Sequence, residues 1–186
     1  MLSRCAMWLL NILGWNVQTK LPGVRKYVVI AAPHTSNWDF PLGILTAWAL
    51  NLEAHWLGKH SIFRWPFGWF FRALGGTPVI RDKGQNYILQ MTELFNDKEK
   101  FVLALAPEGT RKKLDHWKTG FHYIARAANV PIAMGYLDFG RKQVGLETVL
   151  HPSDDIEADF RKLRAFYEDK RGKIPENESL IQVRKI

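Results

Sequence analysis

Cysteine is nearly absent. Cys5 stands alone in 186 residues, so no intramolecular disulfide can form, which suits a reducing compartment. Long apolar runs are missing too. None approaches the roughly 18 to 20 residues that cross a bilayer as a helix. Internal repeats, low-complexity stretches and a convincing linker are lacking, which excludes solenoids and tandem modules. Metal-ligand spacing is lacking as well. The histidines His34, His55, His60, His116, His122 and His151 form no His-x-x-x-His pair and have no cysteine nearby, so no metal site and no cofactor are expected. Acidic residues are the scarcer charge: 18 against 26 basic ones, for a formal net charge of +8. That excess favours anionic partners, namely phosphate groups, anionic lipid or nucleic acid. What remains is 47% hydrophobic and 24% charged, a composition for one folded domain with a sizeable core rather than for disorder.

The most apolar stretch is CAMWLLNILGW at residues 5–15. Arg4 before it suggests a signal peptide, but the stretch holds two tryptophans and no small-x-small cleavage site follows. Two other readings stay open. It is a helix packed on the domain core, or one lying in the membrane interface with Trp8 and Trp15 at headgroup level. Arg4, Lys20, Arg25 and Lys26 flank it. The expected organisation is an N-terminal apolar helix and membrane-interface anchor over residues 1–20, a main domain over 21–170, and a loosely held polar tail over 171–186.

Residues 16–25, with Pro22 and Gly23, read as a turn. Short β-branched runs then alternate with helical patterns. Strands are expected at 26–32, 55–59, 77–81, 101–106, 131–137 and 143–150. Helices are expected at 40–50, 66–74, 85–95, 118–128 and 155–167, the last with Ser153 as a possible cap. The alternation predicts a single α/β domain, with a mixed, mostly parallel sheet flanked by helices. Sites in such folds form where loops leave the carboxyl ends of strands. Two unusual sequences lie there: PHTSNWD after the first expected strand and PEGTRKK after FVLALA.

In PHTSNWD, four residues separate His34 from Asp39. A carboxylate on one ring nitrogen would hold the imidazole in the tautomer that takes a proton at the other. Thr35, Ser36 and Asn37 permit the tight turn this needs. The same spacing also suits a helix cap beside a surface histidine. Arg81 and Arg111 end ALGGTPVIR and PEGTR, and a guanidinium can grip a phosphate with two bonds. Gly109 would allow a close backbone approach, and Lys112, Lys113 and Lys118 add charge. Residues 62–71, IFRWPFGWFF, hold six aromatics in ten positions. Trp65, Phe67 and Trp69 do not all fit inside a core, so part of this stretch is expected to face lipid or an acyl chain.

Taken together and in order, PHTSNWD, GKHSIFRWPFGWFFRALGGTPVIR, APEGTRKK and KTGFHYIARAANVPI resemble the glycerolphosphate and lysophosphatidic acid acyltransferase superfamily, across roughly residues 26–137. His34 and Asp39 match its His-x-x-x-x-Asp block. Gly75 and Arg81 match the second, Glu108, Gly109, Thr110 and Arg111 the third, and Val130, Pro131 and Ile132 the fourth. Met134 departs from the family's second proline, and the interior of the first block is unusual. The resemblance implies an acyltransferase of phospholipid biosynthesis. It would move a fatty acyl group from an acyl-carrier-protein or coenzyme A thioester to a lysophospholipid, most commonly 1-acyl-glycerol-3-phosphate, with lyso-ornithine lipid as another acceptor in related branches. It implies His34 as the base, Asp39 as its orienter, and no acyl-enzyme. Arg81, Glu108, Gly109, Thr110 and Arg111 would bind the acceptor. The enzyme would sit at the cytoplasmic face of the membrane, peripheral or monotopic.

Two rivals remain. A basic nucleic-acid-binding domain would use the same charge, but no DNA- or RNA-binding motif is present and the His-Asp block goes unexplained. A thioester hydrolase would use the same base with water as acceptor.

Overall fold

The computed structural model describes residues 1–79 and 84–184. The strands are β1 (Asn16–Thr19), β2 (Lys26–Ala32), β3 (Ala54–Lys59), β4 (Gly76–Val79), β5 (Phe101–Leu105), β6 (Ile132–Asp138) and β7 (Gln143–Leu150). They form one sheet in the order β1-β7-β6-β2-β5-β3-β4. Every neighbouring pair is parallel except β6 with β7. The helices are α1 (Leu2–Ile12), α2 (Asp39–Ala49), α3 (Gly68–Ala73), α4 (Gly84–Asp97), α5 (Gly120–Ala127) and α6 (Ile156–Tyr167). The expected single α/β domain with a mixed, mostly parallel sheet and an N-terminal helix is the observed architecture.

Alternation along the central strand separates two apolar layers. Val28, Ile30 and Ala32 of β2 join Met91 and Phe95 of α4, Ile124 of α5, and Phe160 and Leu163 of α6. Tyr27 and Val29 face the other way and cluster with Val102, Ala133 and Leu146. On that second side α1 packs against α2, and Ala6, Leu10 and Trp15 share a cluster with Leu42, Ala49 and Val144. Successive side chains on opposite faces, both covered, explain why β2 reads as an unbroken apolar run.

Four expectations are corrected. Residues 16–19 are not a turn but an edge strand, paired in parallel with β7 from Asn16↔Gln143 to Thr19↔Leu146. The N-terminal segment is therefore not a unit apart. Of the two readings of the apolar stretch, core packing holds for Trp15, which is buried against Phe139 with ring centroids 4.9 Å apart, while Trp8 is exposed. The cap of α6 is Asp155, which accepts from the Ala158 N–H; Ser153 instead donates its N–H to Asp159. Nor is the C-terminal segment loose. Leu180 donates its N–H to the Leu114 carbonyl, Trp117 donates to the Gln182 carbonyl, and Ile181 and Val183 pack on the core.

The aromatic stretch divides as expected. Phe63 is buried, stacked on Trp56, whereas Trp65, Phe67, Trp69 and Phe70 are exposed. No helix among the described residues is long and apolar enough to cross a membrane.

Candidate active site

Strands β2 and β5 are parallel neighbours, with Ile30 opposite Leu105. The loops that leave their carboxyl ends, 33–38 and 106–111, therefore emerge side by side. Asp39 opens α2, where the helix dipole favours a carboxylate. The turn folds Asp39 back over the start of its own loop. Its Oδ2 lies 3.0 Å from His34 Nδ1 and accepts the N–H groups of Thr35 and Ser36, each at 2.8 Å. Asp39 is buried, while the His34 side chain keeps 22% of its surface open. An ionised carboxylate can only accept, so Nδ1 carries the proton and Nε2 is left as the ring's proton acceptor.

Glu108 follows β5 and is 1% exposed. Its Oε1 accepts the His34 N–H at 2.9 Å, and Oε2 has no hydrogen-bond partner among the described residues. Burial pushes its carboxyl up to about 7, although the N–H groups of His34 and Glu108 itself pull the other way. Gly109 has φ +62°, where L side chains are strained, and an added Cβ would sit 2.9 Å from Lys118 Nζ. Its glycine is thus accounted for by the turn, since the flexible Lys118 side chain could move aside. Thr110 Oγ1 accepts the Lys112 N–H at 3.3 Å, and Arg111 is exposed. Arg81 lies outside the described residues.

A cavity of about 510 Å³ opens at His34, Asn37, Asp39 and Arg111 and runs between α2 and the sheet. Phe40, Gly43, Ile44, Ala47 and Trp48 of α2 form its roof. That i, i+3, i+4, i+7, i+8 stripe would ordinarily close on the sheet. Here it stays half-buried over Val29, Ala104 and Leu146. The cavity reaches Leu50, Leu52 and Ala54 beyond the far end of α2, about 16 Å away at the helical rise. Its walls are mostly apolar, and its ionisable groups His34, Asp39 and Arg111 lie together.

Of the residues picked from sequence, His34, Asp39 and Arg111 meet at this opening. Glu108 does not. It lines a separate, polar cavity of about 430 Å³ with Trp117, Tyr167, Glu178 and Gln182. Sequence reading missed what backs the His34 loop. Tyr167 OH donates to the carbonyls of Ile30 (3.3 Å) and Gly135 (2.8 Å). Ile174 donates its N–H to Thr35 Oγ1 at 3.1 Å, and Asn177 reaches the Thr35 carbonyl at 3.4 Å. The apolar spacing of Ile174, Leu180, Ile181 and Val183 was the available signal. Lys173 adds a cation 4.6 Å over the Trp38 ring, beside the same loop.

The acyltransferase family profile matches residues 16–134, a span that holds both loops. The chain belongs to the acyltransferase family. A crystal structure similar to this acyltransferase is that of the 1-acyl-sn-glycerophosphate (LPA) acyltransferase PlsC from Thermotoga maritima. The match has a TM-score of 0.58 and 18% identity, over 90% of this chain and 74% of that one. It establishes a shared fold. No curated protein sequence matches the acyltransferase.

Proposed function

We propose that this acyltransferase moves a fatty acyl group from an acyl-carrier-protein or coenzyme A thioester to the hydroxyl of a lysophospholipid, with 1-acyl-glycerol-3-phosphate as the acceptor. The observation that carries the reading is the His34–Asp39 pair at the open end of an apolar cavity. His34 Nε2 takes the hydroxyl proton as the oxygen attacks the thioester carbonyl carbon. The C–S bond breaks, and the proton passes from His34 to the leaving thiolate. Asp39 holds the ring and stabilises the imidazolium. The cavity under α2 takes the acyl chain, whose burial there is favourable and needs no polar partner. Arg111 at the opening, with Arg81, takes the acceptor phosphate, and the neighbouring lysines favour an anionic head group. No acyl-enzyme is invoked. Cys5 sits exposed on α1, away from this opening. The family resemblance, with Glu108, Gly109, Thr110 and Arg111 in its third block, supports the same class of acceptor.

The test is an acceptor screen with both donor types on the purified chain, beside His34→Ala. The expected result is acyl transfer to 1-acyl-glycerol-3-phosphate that falls by at least about 100-fold in the variant. Retention of more than about a tenth of turnover would remove His34 as the base. Transfer to lyso-ornithine lipid alone would move the acceptor assignment, and release of free fatty acid alone would make the chain a thioester hydrolase.

A further inference from the structure

We infer that Glu108 is a positioning residue for the transfer step, acting through the His34 backbone rather than on the acceptor. The inference rests on His34 being the base. Three consecutive peptide N–H groups begin the loop, and two carboxylates take all three. The N–H of His34 goes to Glu108 Oε1 at 2.9 Å, and those of Thr35 and Ser36 go to Asp39 Oδ2 at 2.8 Å. The division of labour follows from where each bond falls. Asp39 also holds ring Nδ1, so it sets the rotation of the imidazole. It leaves free the peptide unit entering His34, which sets where the Cα and hence the whole ring stands. Glu108 fixes that unit from the end of the neighbouring strand.

The placement of Glu108 argues against a head-group role. Its side chain is 1% exposed. It is absent from the wall of the cavity that holds His34 and Arg111, and lines the polar cavity behind the loop. Its second oxygen, Oε2, is buried without a partner among the described residues, as is Nε1 of Trp117, another residue lining that cavity.

The full chain is assayed with 1-acyl-glycerol-3-phosphate in detergent micelles, using Glu108→Gln, Glu108→Ala and His34→Ala. Glutamine keeps an oxygen for the His34 N–H, so Glu108→Gln should hold kcat within about threefold and leave the acceptor KM unchanged. Glu108→Ala should lower kcat by about 100-fold, the cost of misplacing a catalytic group by about an ångström, with KM within about twofold. In amide NMR spectra, the hydrogen-bonded His34 N–H should keep its shift in Glu108→Gln and lose it in Glu108→Ala. A rise in acceptor KM with kcat retained, in either variant, would make Glu108 a head-group ligand and overturn the inference. So would Glu108→Gln losing kcat about 100-fold while the His34 amide shift persists; that readout survives even if the alanine variant does not fold. Activity surviving in His34→Ala would instead defeat the base assignment, whatever Glu108 does.

Discussion

At His34 the geometry on which the proposed function rests is an account of which lone pairs are taken. Asp39 Oδ2 carries three contacts while Oδ1 has no partner among the described residues. The four-residue gap with turn-forming residues permits the pair but suits a helix cap equally well; it was the match to the family's His-x-x-x-x-Asp block that singled the two residues out. The direction of Glu108 was not legible. A left-handed residue at Gly109 turns the chain immediately after it, and side-chain pattern does not report φ. The burial of Glu108 has a pH signature. Its pKa is raised in the folded chain, so its favourable contribution is present below the ordinary value of 4.5 and is lost as pH rises to about 7. Above that range the fold carries an ionised, buried carboxylate. Glu108→Gln removes that burden, so its thermal midpoint relative to the parent should be higher at pH 8 than at pH 5. Thermal melts of both proteins at the two pH values check this, and an unchanged difference would place the Glu108 pKa near its ordinary value in the fold.

Elements were legible where their sequence carries its own pattern. The β-branched run of β2 carries its own pattern, and the strands expected at 26–32 and 143–150 have the observed ends of β2 and β7. NVQT of β1 has no such pattern; it is a strand because β7 offers an unpaired edge, and pairing of that kind is not written locally. The helix α2 was legible as a helix, but not as the roof of a cavity, since the gap beneath it depends on small residues of other elements, Ala31, Ala104, Gly135 and Gly145 among them. Gly43 faces that gap, and a Cβ added there meets nothing within 4 Å. Gly43→Leu should therefore do two things. It should raise stability by up to about 1 kcal/mol through helix propensity. It should also shift donor preference toward shorter acyl chains. Each methylene denied burial is worth about 0.8 kcal/mol, so losing room for two changes the ratio of kcat/KM values by about tenfold. Competition between long- and short-chain donors, with denaturant melts, reads both effects. An unchanged chain preference would mean the acyl group lies elsewhere.

The whole molecule presents apolar surface from α1 and from the aromatic loop entering α3. Trp8, Leu9, Ile12 and Leu13 are exposed on one, and Trp65, Phe67, Trp69 and Phe70 on the other. Both elements lie on the α2 side of the sheet, since α1 packs on α2, and Phe71 of α3 touches Phe40. Two such patches on a chain of net charge +8 suit a membrane interface. Deleting the N-terminus would be a poor test, because Ala6, Leu10 and Trp15 belong to the core. Serine at Trp8, Leu9 and Ile12 removes the outer face alone. That variant should sediment with anionic vesicles less than the parent, while turnover on detergent-dispersed acceptor stays within about twofold. Salt should release only part of the parent protein, because apolar burial is not screened. Equal sedimentation of variant and parent would assign any anchoring to residues 65–70.

The space under α2 has a further consequence when viewed as a defect in the hydrophobic interior. A void lined by Val29, Ala47, Ala104 and Leu146 forgoes contacts that a closed core would make, and cavities of this kind lower stability in proportion to their volume. On the proposed function, the donor's own hydrocarbon tail fills that void. The substrate then serves for the length of one catalytic cycle as the missing part of the protein's core. Affinity for long chains and resistance to unfolding become a single quantity, exchanged by mass action each time an acyl group arrives and leaves.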